Sequence, residues 1–168
     1  MKPDRRTHYS FKIYSDSDLF QKLEEEFKDL EADQSSSRHA INFAMTAWHL
    51  TDWIWAVRLK NNKAEQRRLF AETFERGKNG LNRLRRYLCT RCQELRVMQE
   101  ITNGSKHLKS DSKDAITDTF VASTIHLDVS SGYGIETAPH TQVTLTNGST
   151  VPFIDVARKV LEFWRSKF

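Results

Sequence analysis

No stretch of this chain approaches the roughly 18 consecutive apolar residues of a membrane-spanning helix, so no membrane partner is expected. The opening decapeptide, MKPDRRTHYS, lacks the apolar centre of a secretory signal, and a cytoplasmic location is the corresponding expectation. Cysteine is nearly missing, with 2 in 168 residues. Cys89 and Cys92 match C-x-x-C, but there is no second pair to complete a zinc site. They lie within a helical pattern rather than at a helix N-terminus, where the dipole would favour a thiolate, and they read as ordinary helix thiols. No internal repeat and no low-complexity linker divides the chain, so residues 1–168 are expected to form a single domain, with room for a sizeable core.

Charge of one sign is missing from particular stretches rather than from the whole. The net charge is +4, with a pI near 9.1 and a mean hydropathy of -0.64. That is too mild to demand an anionic partner. Residues 16–33 are acidic, whereas residues 76–96 hold Arg76, Lys78, Arg83, Arg85, Arg86, Arg91 and Arg96 against Glu94 alone. A basic stripe on one helix is the footprint expected for a phosphate backbone. The competing explanation is a solvated face that pairs with the acidic first helix.

The apolar spacing predicts a mainly α fold: four or five helices over residues 17–108, a small antiparallel β-meander over 118–151, and a closing helix over 152–168. Ser15 to Asp18 offer N-caps to a helix carrying Leu19, Leu23, Phe27 and Leu30 at helical spacing, and Gln34 to Ser37 end it. The second helix is expected from about Arg38 to Lys60, its inward stripe being Ile41, Met45, Trp48, Asp52, Trp55 and Leu59. A shorter segment follows before a break at Lys78 to Gly80. The third main helix should start near Leu81, turn Leu84, Leu88, Cys92, Leu95 and Met98 inward, and run towards residue 107. Val121, Ile125, Leu127 and Val129 alternate as a strand with one inward face, and SSGYGIETAPH reads as a turn-rich connection. Thr146-Asn147-Gly148-Ser149 sits between strand-like runs, where Asn-Gly is the strongest short hairpin signal. Pro152 suits the first turn of the last helix, which offers Val156, Val160, Phe163 and Trp164 to the core.

The same tetrapeptide occurs earlier, as Thr102-Asn103-Gly104-Ser105, followed by Lys106 and His107. If the third helix continues this far, Asn103, Lys106 and His107 fall on one side at spacings of three and four. The alternative is a helix end, with Asn103 or Gly104 as a cap and two cations near the negative end of the dipole. Asp52 is the other unusual residue, a carboxylate between Trp48 and Trp55, with His49 one turn earlier. An ionised acid on a buried face needs a partner. A contact from Asp52 to Lys106 or His107 would supply one and would orient a histidine for acid–base chemistry. A structural Asp52–His49 hydrogen bond is the plainer reading.

Thr102 to His107 resembles the R-N-x-x-x-H form of the HEPN-domain motif, with threonine in place of the arginine. The resemblance implies a small helical bundle, often dimeric, of a superfamily with many metal-independent RNA nucleases. It places Asn103 at the family's polar position and His107 at its histidine, and leaves the transition-state cation to Lys106. The implied chemistry is attack of a ribose 2'-hydroxyl on the adjacent phosphate. His107 would be the general acid or base, Lys106 would offset the phosphate charge, and Asn103 would orient the phosphate or ribose. Asp52 and His49 would fix the imidazole and the lysine, and Arg85, Arg86, Arg91 and Arg96 would hold the backbone of an RNA or nucleotide partner. No cofactor is expected. A metal held by His49, Asp52 and His107 is the weaker reading, because nothing fixes a fourth ligand. The alternative function is a non-catalytic interaction module whose polar cluster only specifies helix packing. An apolar face left over would make a two-fold homodimer natural.

Overall fold

The computed structural model describes residues 13–70, 80–106, 115–128 and 134–168. Helices α1 (Asp16–Ala32), α2 (Ser37–Ile54), α3 (Lys63–Phe70), α4 (Gly80–Arg91) and α5 (Glu94–Lys106) precede a three-stranded antiparallel sheet of order β1-β2-β3. The strands are β1 (Ile116–Asp128), β2 (Gly134–Leu145) and β3 (Thr150–Pro152), and α6 (Phe153–Arg165) closes the chain. The architecture is therefore mainly helical, with the meander inserted before the last helix as the periodicities predict. Among the described residues, no helix is long and apolar enough to cross a membrane.

Local chemistry accounts for the helix starts. Ser15 and Asp18 form a reciprocal capping box at the start of α1, which satisfies two otherwise orphaned backbone donors. Ser36 caps α2 by accepting from the His39 N–H. The α1 stripe Leu19, Leu23, Phe27 and Leu30 is buried as expected, and it joins α2, α4, α5, α6 and Val143 of β2 in one core.

The second helix differs from its reading in two ways. It passes at Trp55–Leu59 into a π-helical turn. Its buried face also lies further round than the expected stripe: Trp48 and Leu59 are buried as expected, together with Ala40, Phe43, Ala44, Ala47, Leu50 and Ile54, whereas Ile41, Met45, Asp52 and Trp55 are only half-buried. α2 packs against α1, α4, α5 and α6, and its small alanines allow close approach on faces where a stripe of large residues was expected. Asp52 is thereby moved to the rim, with its side chain 39% exposed.

The third helix is two helices. Cys92 and Gln93 break it, and their carbonyls accept from the Leu95 and Arg96 N–H groups in tight i to i+3 turns. Leu84, Leu88, Cys92, Leu95 and Met98 are all buried across the break. Gly80 opens α4 against the indole of Trp55; a Cβ there would stand 2.0 Å from the ring. Lys78 and Asn79, read as a break, lie outside the described residues.

The sheet is longer than the sequence suggests, because β2 begins at Gly134 within the stretch read as a connection. Pro139 pairs with Ser123 of β1, and β3 reaches only Gln142 to Thr144 of β2. The missing N–H of Pro139 thus falls where β2 has no second neighbour. Val121, expected to face inward, is 48% exposed, whereas Ile116, Val143, Leu145 and Val151 of the sheet pack on the core. The Asn147-Gly148 turn is as predicted: Gly148 has φ 83°, its N–H donates to the Leu145 carbonyl, and Asn147 Oδ1 accepts from the Ser149 N–H.

Glu100 attaches the sheet to the helices. Its carboxylate is buried on α5 and accepts the Ala115 N–H at 2.7 Å and the Ile116 N–H at 3.0 Å. Thr141 of β2 adds an N–H to the Gln34 carbonyl at 2.7 Å. Replacing Glu100 with alanine strands two backbone donors, each costing about 1–3 kcal/mol. The variant is expected to lose about 2–6 kcal/mol in urea unfolding, whereas an unchanged midpoint would mean that the carboxylate does not hold the sheet.

Candidate functional site

The acidic first helix does not neutralise the basic stripe. Glu24 pairs with Arg165 at 3.0 Å and Glu31 with Arg158 at 3.7 Å, both on α6. Asp16 pairs with Arg58 of the π-helical turn and Glu26 with Lys22 of its own helix. These four acids of α1 are thus committed away from α4 and α5. Among the described residues, Arg86, Arg91 and Arg96 have no ion pair; Arg76 and Lys78 lie outside those residues.

Arg85 is the exception, and it gives Asp52 the partner its position requires. One guanidinium nitrogen donates to Asp52 Oδ1 at 2.7 Å and Nε donates to Thr51 Oγ1 at 3.2 Å. The group also lies over the Trp48 ring, 4.8 Å from its centroid. The expected Asp52 contact with Lys106 is therefore replaced by one with α4, and the alternative contact with His107 falls outside the described residues. The correction follows from the break at Cys92, which makes α4 a separate neighbour of α2. No hydrogen bond joins Asp52 to His49 either.

His49 is half-buried one turn before Asp52. Its pKa lies below the ordinary 6.5, first because burial penalises the imidazolium, then because Lys106 faces it; Asp52 opposes this, and Arg85 and Lys22 add to it. The ring is thus neutral at pH 7. Lys106 ends α5, exposed, with the half-buried Asn103 one turn before it. The helix does run through Asn103 and Gly104, and a Cβ at Gly104 would meet nothing within 4 Å, so this glycine makes no close approach to another backbone. Thr102, where the resemblance needs arginine, is fully buried with its hydroxyl unpaired. His107 lies outside the described residues.

Arg85, Arg86 and Arg96 share an open groove of 430 Å³ with Asn82, Gln99 and Glu100. The acid in this set turns its oxygens to the β1 backbone, which leaves the arginines to set the sign of the groove. Arg91 is not part of it and stacks its guanidinium over Tyr87 at 5.1 Å. A larger cleft of 890 Å³ lies between the start of α5, the β2–β3 turn and α6. Lys159 pairs there with Glu94 at 3.2 Å and Arg158 with Asp155 at 3.0 Å, and Glu162 lines it alongside Arg96, so it carries no such surplus.

Asn82 and Gln99 carry no motif signal; only the packing of α4 on α5 brings them together. Cys89 also borders the groove, but burial pushes its thiol pKa up. Cys92 is raised further, to about 11, by burial and then by Glu94, so neither is a thiolate nucleophile at neutral pH. Among the described residues, no three His, Cys, Asp or Glu side chains converge as metal ligands.

The lowered pKa of His49 has a consequence for folding. The unfolded chain takes the proton first as pH falls through 6.5, so this residue subtracts stability from there down to its folded-state pKa, and the loss is complete below that value. His49→Gln should flatten the decline in unfolding free energy between about pH 7 and pH 5, and parallel curves for both proteins would contradict it. Neither protein-family models, curated proteins nor solved structures match the chain, so its geometry carries the functional reading.

Proposed function

We propose that this protein is an RNA-binding helical module, a HEPN-like relative that holds the phosphate backbone without cutting it. The observation that carries the reading is the groove in which Arg85, Arg86 and Arg96 meet, while Glu24 and Glu31 of α1 pair with α6 instead. Arginine forks suit phosphate oxygens, and Asn82 and Gln99 add neutral amide donors beside them. The choice of RNA rests on the motif resemblance, and the loss of cleavage rests on Thr102. Its side chain is closed into the core, so no cation stands at the position that the resemblance gives to the arginine. The polar cluster of α2 and α4 then acts as a packing device that keeps Arg85 at the edge of the groove.

A labelled oligouridylate should bind with a strong salt dependence. Arg86→Ala and Arg96→Ala should each weaken binding alike for different sequences, and each should lower the slope of log K against log salt by about 1. Salt-independent binding, or variants with the native slope, would remove the groove from the account. Incubation without metal should leave the oligonucleotide intact. Cleavage that disappears in His107→Ala would instead establish the nuclease.

The resemblance also implies a homodimer. Strand β1 is at the sheet edge and exposes Phe120 and Val121, at 40% and 48%, which a second copy would cover. Sedimentation should give twice the 19.6 kDa chain mass, and a monomer at all concentrations would reject the dimer.

A further inference from the structure

Two hollows of this molecule share a wall. Cys89 of α4 and Arg96 of α5 line both the arginine groove and the 890 Å³ cleft. The cleft has an apolar floor: Val97 of α5 and Val156 of α6 are buried in it, and Leu145 and Val151 of the sheet pack beside them. Its charges balance, with Arg96, Arg158 and Lys159 against Glu94, Asp155 and Glu162, so it suits an uncharged group. Its size falls within the range of about 300–1,000 Å³ usual for small-molecule sites. The edge is polar. Gln93, in the break between α4 and α5, lines it with a side-chain amide that makes no hydrogen bond among the described residues. Burial keeps the Cys89 thiol protonated, so no thiolate repels an anion where the two hollows join.

We infer that the cleft is a base pocket, so that the two hollows together hold one nucleotide, its phosphate on Arg86 and Arg96 and its base over Val97, Val151 and Val156. The anion fits the cationic end, where guanidinium forks meet phosphate oxygens. A nucleobase is flat and uncharged, with apolar faces and with donors and acceptors round its edge. Bases drawn out of a strand are held by apolar side chains on their faces and by hydrogen bonds at their edge. The cleft offers both: aliphatic faces from three valines, and the Gln93 amide, whose donor and acceptor suit an adenine edge. A purely apolar tail would take water from that amide without replacing its hydrogen bonds. Arg96 connects the two halves, because it borders both. The nucleotide is either free or one unit of an RNA strand whose other phosphates lie along the groove. Only the second source rests on the function proposed above.

Adenosine 5'-monophosphate and ribose 5-phosphate carry the same sugar and phosphate and differ by the base. The test titrates the native protein with each, at matched ionic strength, and follows the backbone amides by NMR. Adenosine 5'-monophosphate should bind about fivefold or more tighter and shift the amides of Asn147, Val151 and Val156. Ribose 5-phosphate should leave those three in place and move only those around Arg86 and Arg96. Equal affinities, or nucleotide shifts confined to α4 and α5, overturn the base pocket and keep the arginine groove. No response to either ligand overturns the pocket outright. A second arm compares a labelled oligoadenylate with an abasic strand of equal length. Tighter binding of the oligoadenylate by a similar factor puts a base of the strand in the cleft. A base-dependent response to the mononucleotide without binding of either strand keeps the nucleotide site and rejects the RNA reading.

Discussion

Arg85 meets α2 through three side chains at once: the Asp52 carboxylate, the Thr51 hydroxyl and the Trp48 ring. Its side chain is 27% exposed, so much of the guanidinium has given up water for these contacts. A planar fork can bond in its plane and stack on its face at the same time, which a lysine ammonium cannot do. Because α2 also packs against α1, α5 and α6, this contact joins the buried Leu84, Leu88 and Cys89 in setting α4 relative to the core. That setting brings Arg86 and Arg85 opposite Arg96 of α5. The same bond occupies the Asp52 carboxylate, and at His49 burial and Lys106 outweigh the opposing charge of Asp52.

Charge is sorted by helix. Glu24 and Glu31 of α1 pair with α6 and Asp16 with the π-helical turn, so within a modest net charge of +4 the arginines of α4 and α5 keep a local surplus. Surface pairs such as Glu24 with Arg165 contribute little stability individually. Their larger effect is on placement, since a carboxylate engaged on one side of the bundle cannot neutralise an arginine on the other. The buried Glu100 follows a similar logic: it borders the basic groove, yet its oxygens are directed at the β1 backbone. The acid nearest the arginines thus secures the meander.

Much of the fold was legible because local physics set it. The α1 stripe, the Ser15–Asp18 capping box and the Asn147-Gly148 turn each depend on residues within a turn or two of one another. The buried set across α4 and α5 was legible too, although the break at Cys92 was not, since no glycine or proline marks it. The outer meander was misread for the opposite reason. Alternation at Val121 reports a strand, but the helices packed beneath the sheet decide which face is covered. Gly134 to Pro139 carry turn-forming residues and still pair, because β1 extends far enough to meet them.

The sequence by itself determined the class of the fold, the places where helices start, the hairpin turn and the basic character of the α4–α5 segment. Those features arise from side chains a few residues apart, whose geometry is the same in any context. Only the tertiary structure decided which charges meet. Asp52 and Arg85 are 33 residues apart, and the docking angle of two helices makes them neighbours. The same docking moved Asp52 from the core to the rim, closed Thr102 into the interior and left Lys106 facing a neutral histidine. Periodicity shows that a helix has an inner face. How much of its circumference is covered depends on the helices around it.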